Sequence, residues 1–88
     1  MSVVSVGVKF FASLREAAGV GSCELDLPED ANLEDVVRGV KERFPQLGDA
    51  LEGIGIALNR RYMRRDELSL QKVRLGDEVA LIPPISGG

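Results

Sequence analysis

The sequence predicts an α+β domain: a mixed sheet of about five strands with one main helix packed on one face. Three observations carry this: a two-residue alternation of apolar and other residues near the start, one amphipathic helical stretch in the middle, and a second alternating run near the end, with glycine and proline between them. At 88 residues the chain supports one core, and a domain of this size buries only roughly 60 to 65% of its unfolded surface. The 44% hydrophobic and 28% charged residues exclude a disordered or fibrous chain.

From Val4 the sequence alternates, with Val4, Val6, Val8 and Phe10 on one face and Ser5, Gly7, Lys9 and Phe11 on the other, the period of a half-buried strand. Phe11 breaks the polar side and falls on the face expected to meet water. Ser13-Leu14-Arg15-Glu16 has the spacing of a capping box, with Gly19 placed as a C-cap, so a short helical turn follows. A second strand over 22–27 turns Cys23, Leu25 and Leu27 inward and runs antiparallel to the first. Cys23 there reads as a small buried hydrophobe rather than a reactive thiol.

After a loop at 28–31, Asn32 and Asp35 start the main helix. Its apolar stripe is Leu33, Val36, Val37, Val40 and Phe44, and Pro45 ends it. Leu47, Leu51 and Ile54 surround a second short turn closed by Gly53. A third strand follows in which Ile54, Ile56 and Leu58 alternate with Gly55, Ala57 and Asn59, and a polar turn from Asn59 to Arg61 leads to Tyr62 and Met63. Short apolar pairs, Leu68 with Leu70 and Val73 with Leu75, precede a turn at Gly76-Asp77. The last strand, 78–83, turns Val79, Leu81 and Pro83 inward and Glu78, Ala80 and Ile82 outward. Strand, strand, helix, strand, short strand and a final strand returning beside the first give the β-grasp arrangement. The domain expected is 1–83, with 84–88 an extended Gly-Gly tail.

Composition narrows function. The chain has no histidine, which removes the usual general base and the commonest zinc ligand, so no metal site and no side-chain catalysis are expected. A net charge of −3 argues against nucleic acid as the main partner. The run Arg60-Arg61-Tyr62-Met63-Arg64-Arg65 is the exception, read as a solvated turn with an arginine fringe. A lone cysteine, no apolar run of membrane-spanning length and no export signal at Met1-Ser2-Val3-Val4 lead to the expectation of a cytoplasmic protein without membrane contact.

The chemistry is expected at the end of the chain. Pro83 and Pro84 stop the ladder and favour an extended backbone, so Pro84, Ile85, Ser86 and Gly87 are expected to project and enter a partner, carrying the carboxyl group of Gly88. Gly87 and Gly88 lack a Cβ and suit a narrow tunnel. A carboxylate is a poor electrophile until it is coupled to AMP, after which sulfur or nitrogen nucleophiles attack an unhindered carbonyl. Positioning and electrostatics would come from the enzyme holding the tail.

Val8 to Glu16, Ile56-Ala57-Leu58-Asn59 and above all Gly76-Asp77-Glu78-Val79-Ala80-Leu81-Ile82-Pro83-Pro84-Ile85-Ser86-Gly87-Gly88 resemble the small sulfur-carrying subunits of molybdopterin synthase, relatives of the thiamine sulfur carrier and of ubiquitin. The resemblance implies that an activating enzyme adenylates Gly88 with ATP, with AMP a transient acyl partner and no permanent cofactor. The adenylate becomes a thiocarboxylate, and the sulfur passes to cyclic pyranopterin monophosphate inside the large synthase subunit, in a heterotetramer of two small and two large subunits. Catalytic residues are then the large subunit's, and Lys9, Lys41 and Lys72 stay solvated. Phe11, Tyr62 and Ile82 are expected to form the partner-binding patch. The alternatives are a ubiquitin-like modifier joined to lysines through Gly88, a carrier for another pathway such as thiamine thiazole synthesis, and a plain interaction module working through its sheet face.

Overall fold

The computed structural model describes residues 2–84. Five strands, β1 (Val3–Phe10), β2 (Ser22–Pro28), β3 (Gly55–Leu58), β4 (Arg61–Met63) and β5 (Glu78–Ile82), form one sheet in the order β2-β1-β5-β3-β4. Two α-helices, α1 (Ala12–Ala18) and α2 (Leu33–Arg43), accompany them. The last strand lies at the centre, parallel to β1 with Phe10 opposite Leu81, and antiparallel to β3 with Ile82 opposite Gly55. This is the mixed β-grasp sheet that the alternating runs predict.

The core follows the same alternation. Val6, Val8, Val79 and Leu81 have no exposed surface, and they meet Leu33, Val36 and Val40 of α2, which are equally enclosed. Each such side chain contributes about 1.5–3 kcal/mol by leaving water. Val37 and Phe44 of the predicted stripe are only half-buried and pack on the rim of this core. Phe44 meets Phe10 edge to face, with ring centroids 5.2 Å apart at 74°, a geometry that fixes the end of α2 against the end of β1.

The start of α2 forms as its sequence predicts. Asn32 accepts from the Asp35 amide at 2.9 Å, and Asp35 accepts from the Asn32 amide at 2.9 Å, so two amides without helical partners are satisfied reciprocally. Asn32 also donates to the Ser69 carbonyl at 3.1 Å, tying the helix to the segment between β4 and β5. The amide bond from Asn32, reinforced by Arg38, holds the Asp35 carboxyl below the usual aspartate range.

Three expectations are corrected. The capping box at Ser13 does not form: Phe11 is the N-cap of α1 and no side chain caps it. The Phe11 amide donates to the Leu81 carbonyl while its carbonyl accepts from Leu14, and Ala12 turns at φ 49°, so the chain is already helical when it reaches Ser13. Gly19 does close α1 in the left-handed region. Phe11 is therefore not a strand residue but the corner between β1 and α1, although its backbone is still extended. The last strand ends at Ile82, not at Pro83, because proline offers no amide to the ladder. Of the expected tail, Pro84 is exposed; the expectations for Ile85, Ser86, Gly87 and Gly88 fall outside the described residues.

Replacing Asn32 with alanine should cost about 1 kcal/mol and lower the melting temperature by roughly 4–8 °C, as read by circular dichroism. The lowered Asp35 pKa stabilises the fold at neutral pH, and that gain is lost as pH falls through the acid range below about 4. The stability difference between the natural chain and Asp35→Asn should therefore narrow on acidification.

Candidate functional site

The helices cover one face of the sheet and leave the other open. On the open face, β2 and β1 present Ser22, Glu24, Asp26, Ser5, Gly7 and Lys9, whereas β5, β3 and β4 present Ala80, Ile82, Gly55, Ala57 and Tyr62; these sets follow from the pairs Gly7 with Glu24, Lys9 with Ala80, Gly55 with Ile82 and Ala57 with Tyr62. The face is thus polar on one side and apolar on the other. Lys9 reaches across to Glu78 at 3.1 Å, an exposed pair worth little in stability, which marks the border. Lys9, Lys41 and Lys72 are exposed, as the sequence predicts.

The apolar half gathers the three residues of the predicted patch at one end. A methyl group built on Gly55 would lie 3.8 Å from Ile82 Cβ and 3.8 Å from a ring carbon of Tyr62, so Ile82 and Tyr62 share the space that the glycine leaves. Phe11, one residue beyond the pair of Phe10 with Leu81, comes level with Ile82 on the other flank. Tyr62 is 71% exposed and Phe11 45% exposed, while Ile82 is half-buried between them. Gly55 is the residue the sequence reading missed. Its position inside an apolar run was the available signal, because glycine within a strand often marks a close approach.

Tyr62 is held by its hairpin. Asn59 and Arg60 both adopt positive φ, 49° and 71°, the geometry of a tight two-residue turn that matches strand twist. Asn59 accepts from the Glu78 amide at 2.9 Å and donates to Asp77 at 3.0 Å, which fastens the turn to the start of β5. The patch also adjoins the point where the chain leaves the sheet, since Ile82 is followed by the half-buried Pro83 and exposed Pro84.

Cys23 lies partly buried against the core, and burial pushes its thiol up despite the opposing charge of Arg43. A raised thiol pKa disfavours the thiolate, the form in which a cysteine acts as a nucleophile. Among the described residues no group of three metal-binding side chains occurs. No described helix is long and apolar enough to cross a membrane.

Residues 8–88 match the ThiS family. The chain belongs to the ThiS family. Within it, the chain is 37% identical over 82 residues to the molybdopterin synthase sulfur carrier subunit of Dictyostelium discoideum, covering 92% of this chain and 93% of that one. It is 35% identical to the corresponding subunit of Chlamydomonas reinhardtii, covering 97% of this chain and 100% of that one. Among solved structures, this ThiS-family domain superimposes on small archaeal modifier protein 1 from Methanosarcina acetivorans with a TM-score of 0.81, at 29% identity and full coverage of both chains.

Gly55→Val should fold, because a Cβ fits there at ordinary contact distance, yet its branches compete with the Tyr62 ring. Tyr62 is the only tyrosine and there is no tryptophan, so intrinsic fluorescence reports on this ring alone. Acrylamide quenching should rise in the variant; unchanged quenching would contradict the shared seat.

Proposed function

We propose that this ThiS-family chain is the sulfur carrier subunit of a molybdopterin synthase, bearing the transferable sulfur as a thiocarboxylate on Gly88. The observation that carries this reading is the nearly full-length likeness to molybdopterin synthase sulfur carrier subunits, within a family match that runs through Gly88. In the proposed cycle an activating enzyme joins the Gly88 carboxylate to the AMP portion of ATP, releasing pyrophosphate. A sulfur nucleophile then attacks the acyl carbon and AMP leaves. The thiocarboxylate enters the large subunit, and its sulfur attacks cyclic pyranopterin monophosphate. Each attack leaves an acyl–sulfur bond that water then hydrolyses, so the sulfur stays on the pterin and Gly88 returns to a carboxylate; two such transfers build the dithiolene. AMP is thus a transient partner and no cofactor stays bound.

The domain's part in this cycle is mechanical. A sheet whose central strand is the last one gives the tail a rigid root, and Phe11, Ile82 and Tyr62 beside that root supply an apolar surface for the large subunit. Pro84, Ile85, Ser86 and Gly87 act as the slender segment that carries Gly88 to the partner's site. The proposed assembly holds two small and two large subunits, in the cytoplasm.

A second reading is favoured by the similarity to small archaeal modifier protein 1: attachment of Gly88 to lysines of other proteins. Both readings use one activated carboxyl group, and intact-mass analysis of chain recovered from its native cell separates them. Replacement of one oxygen by sulfur at the terminus supports the carrier; ladders of conjugates support the modifier.

Deletion of Gly87 and Gly88 should abolish molybdopterin formation while leaving the fold unchanged. Product formed by the truncated chain would defeat both readings and favour a plain interaction module. Phe11→Arg should preserve the circular dichroism spectrum and weaken binding to the large subunit at least tenfold by calorimetric titration; equal affinity would remove the patch from the interface.

A further inference from the structure

On the helix side of the sheet, an open groove of about 380 Å³ runs between α2 and the chain that precedes and follows the β3–β4 hairpin. Its floor is aliphatic: Val37 from α2, Leu51, Ile54 and Ile56 ahead of or within β3, and Leu68 beyond β4. Leu51, Ile54 and Ile56 are nearly enclosed, while Val37 and Leu68 remain half-buried and offer a wettable apolar surface.

The rim is charged in an ordered way. Glu34, Arg38 and Lys41 fall at steps of four and three residues along α2 and so share one side of the helix. Arg65 faces them from the opposite bank. Arg38 is drawn to Asp35 at 2.6 Å, whereas Lys41 and Arg65 make no ion pair among the described residues. The groove therefore grades from an acid at the start of α2 to two available cations further along. Arg65 ends the run Arg60-Arg61-Tyr62-Met63-Arg64-Arg65, which holds four of the chain's 11 lysines and arginines although the chain carries 14 aspartates and glutamates. In a protein of net negative charge this is a local feature, not a general basicity.

We propose that this groove docks an acidic peptide segment of a partner protein, with an aliphatic side chain seated on Val37 and Leu68 and carboxylates facing Lys41 and Arg65. Charge complementarity selects the occupant. A small anion would satisfy the cations but leave the aliphatic floor wet, and a basic segment would meet like charges at Lys41 and Arg65, the two rim cations without an ion pair among the described residues. Glu34 sets direction, because the acidic part of the peptide must lie away from the start of α2. This docking goes beyond the sulfur-carrier reading and does not rest on it, since neither Gly88 nor the open sheet face takes part.

Amide chemical shifts of the full isotope-labelled chain test the proposal. The probe is a synthetic peptide alternating aspartate with leucine; the controls are the same peptide with lysine for aspartate, and inorganic phosphate. The aspartate peptide should give saturable shifts confined to α2, the stretch from Leu51 to Ile56, and Leu68. Neither control should reproduce them. Lys41→Glu combined with Arg65→Glu should weaken binding at least tenfold with spectral dispersion intact, and Val37→Ala should weaken it several-fold. Absence of saturable shifts, shifts centred on Tyr62 and Ile82, equal shifts from the lysine peptide or from phosphate, or indifference to the charge reversal would each overturn it.

Discussion

The parallel pairing of β5 with β1 is the contact on which the rest depends. It places the last strand in the middle of the sheet, where Val79 and Leu81 are fully enclosed and where β3 closes the other side. A terminal strand usually frays because one edge is free and few side chains hold it. Here it has neighbours on both sides, so the chain leaves at Pro83 from the most firmly held part of the molecule. Contacts of high sequence separation make such a strand slow to place. A protein proposed to act through the residues that follow gains a fixed origin for them.

The second consequence is a division of surfaces. Because β5 separates β1 from β3, the polar strands β1 and β2 lie on one side of it, and β3 and β4, with Gly55, Ala57 and Tyr62 outward, lie on the other. Lys9 and Glu78 face each other along that border. Ile82 and Tyr62 then meet near the point where the chain exits, with a glycine rather than a long side chain making room for them, and Phe11 follows the Phe10–Leu81 pair on the other flank. The helix side carries a different chemistry, an aliphatic trough with cationic banks. The two surfaces are made by opposite faces of the same β3, whose inward Ile56 meets the groove and whose outward Gly55 seats the patch.

Much of this was legible in the residues. Alternation places Val6, Val8, Val79 and Leu81 inward without knowledge of their partners, and Asn32 with Asp35 marks the start of α2 because a capping box is a local bond between near neighbours. Ser13 and Glu16 carry a similar local signal and fail, because the bond between the Phe11 amide and the Leu81 carbonyl turns the chain before Ser13 is reached. That is a long-range contact overriding a short-range preference. Gly55 and the groove were missed for the same reason: one depends on what β5 and β4 place above a glycine, the other on α2 meeting residues spread from Leu51 to Leu68. Membership of the ThiS family, by contrast, needs no tertiary information, since the match over residues 8–88 is carried by the sequence alone.

The central proposal is that the acyl group of Gly88 gives up its sulfur in a synthase reaction. A single-turnover experiment addresses it directly: chain prepared with a thiocarboxylate at Gly88 is mixed with the large subunit and cyclic pyranopterin monophosphate, and pterin product and intact chain mass are followed together. The account predicts that product appears as sulfur is lost from the chain, one sulfur per chain, with the carboxylate form recovered. Product without loss of sulfur from Gly88, or loss of sulfur without any dithiolene product, would contradict it.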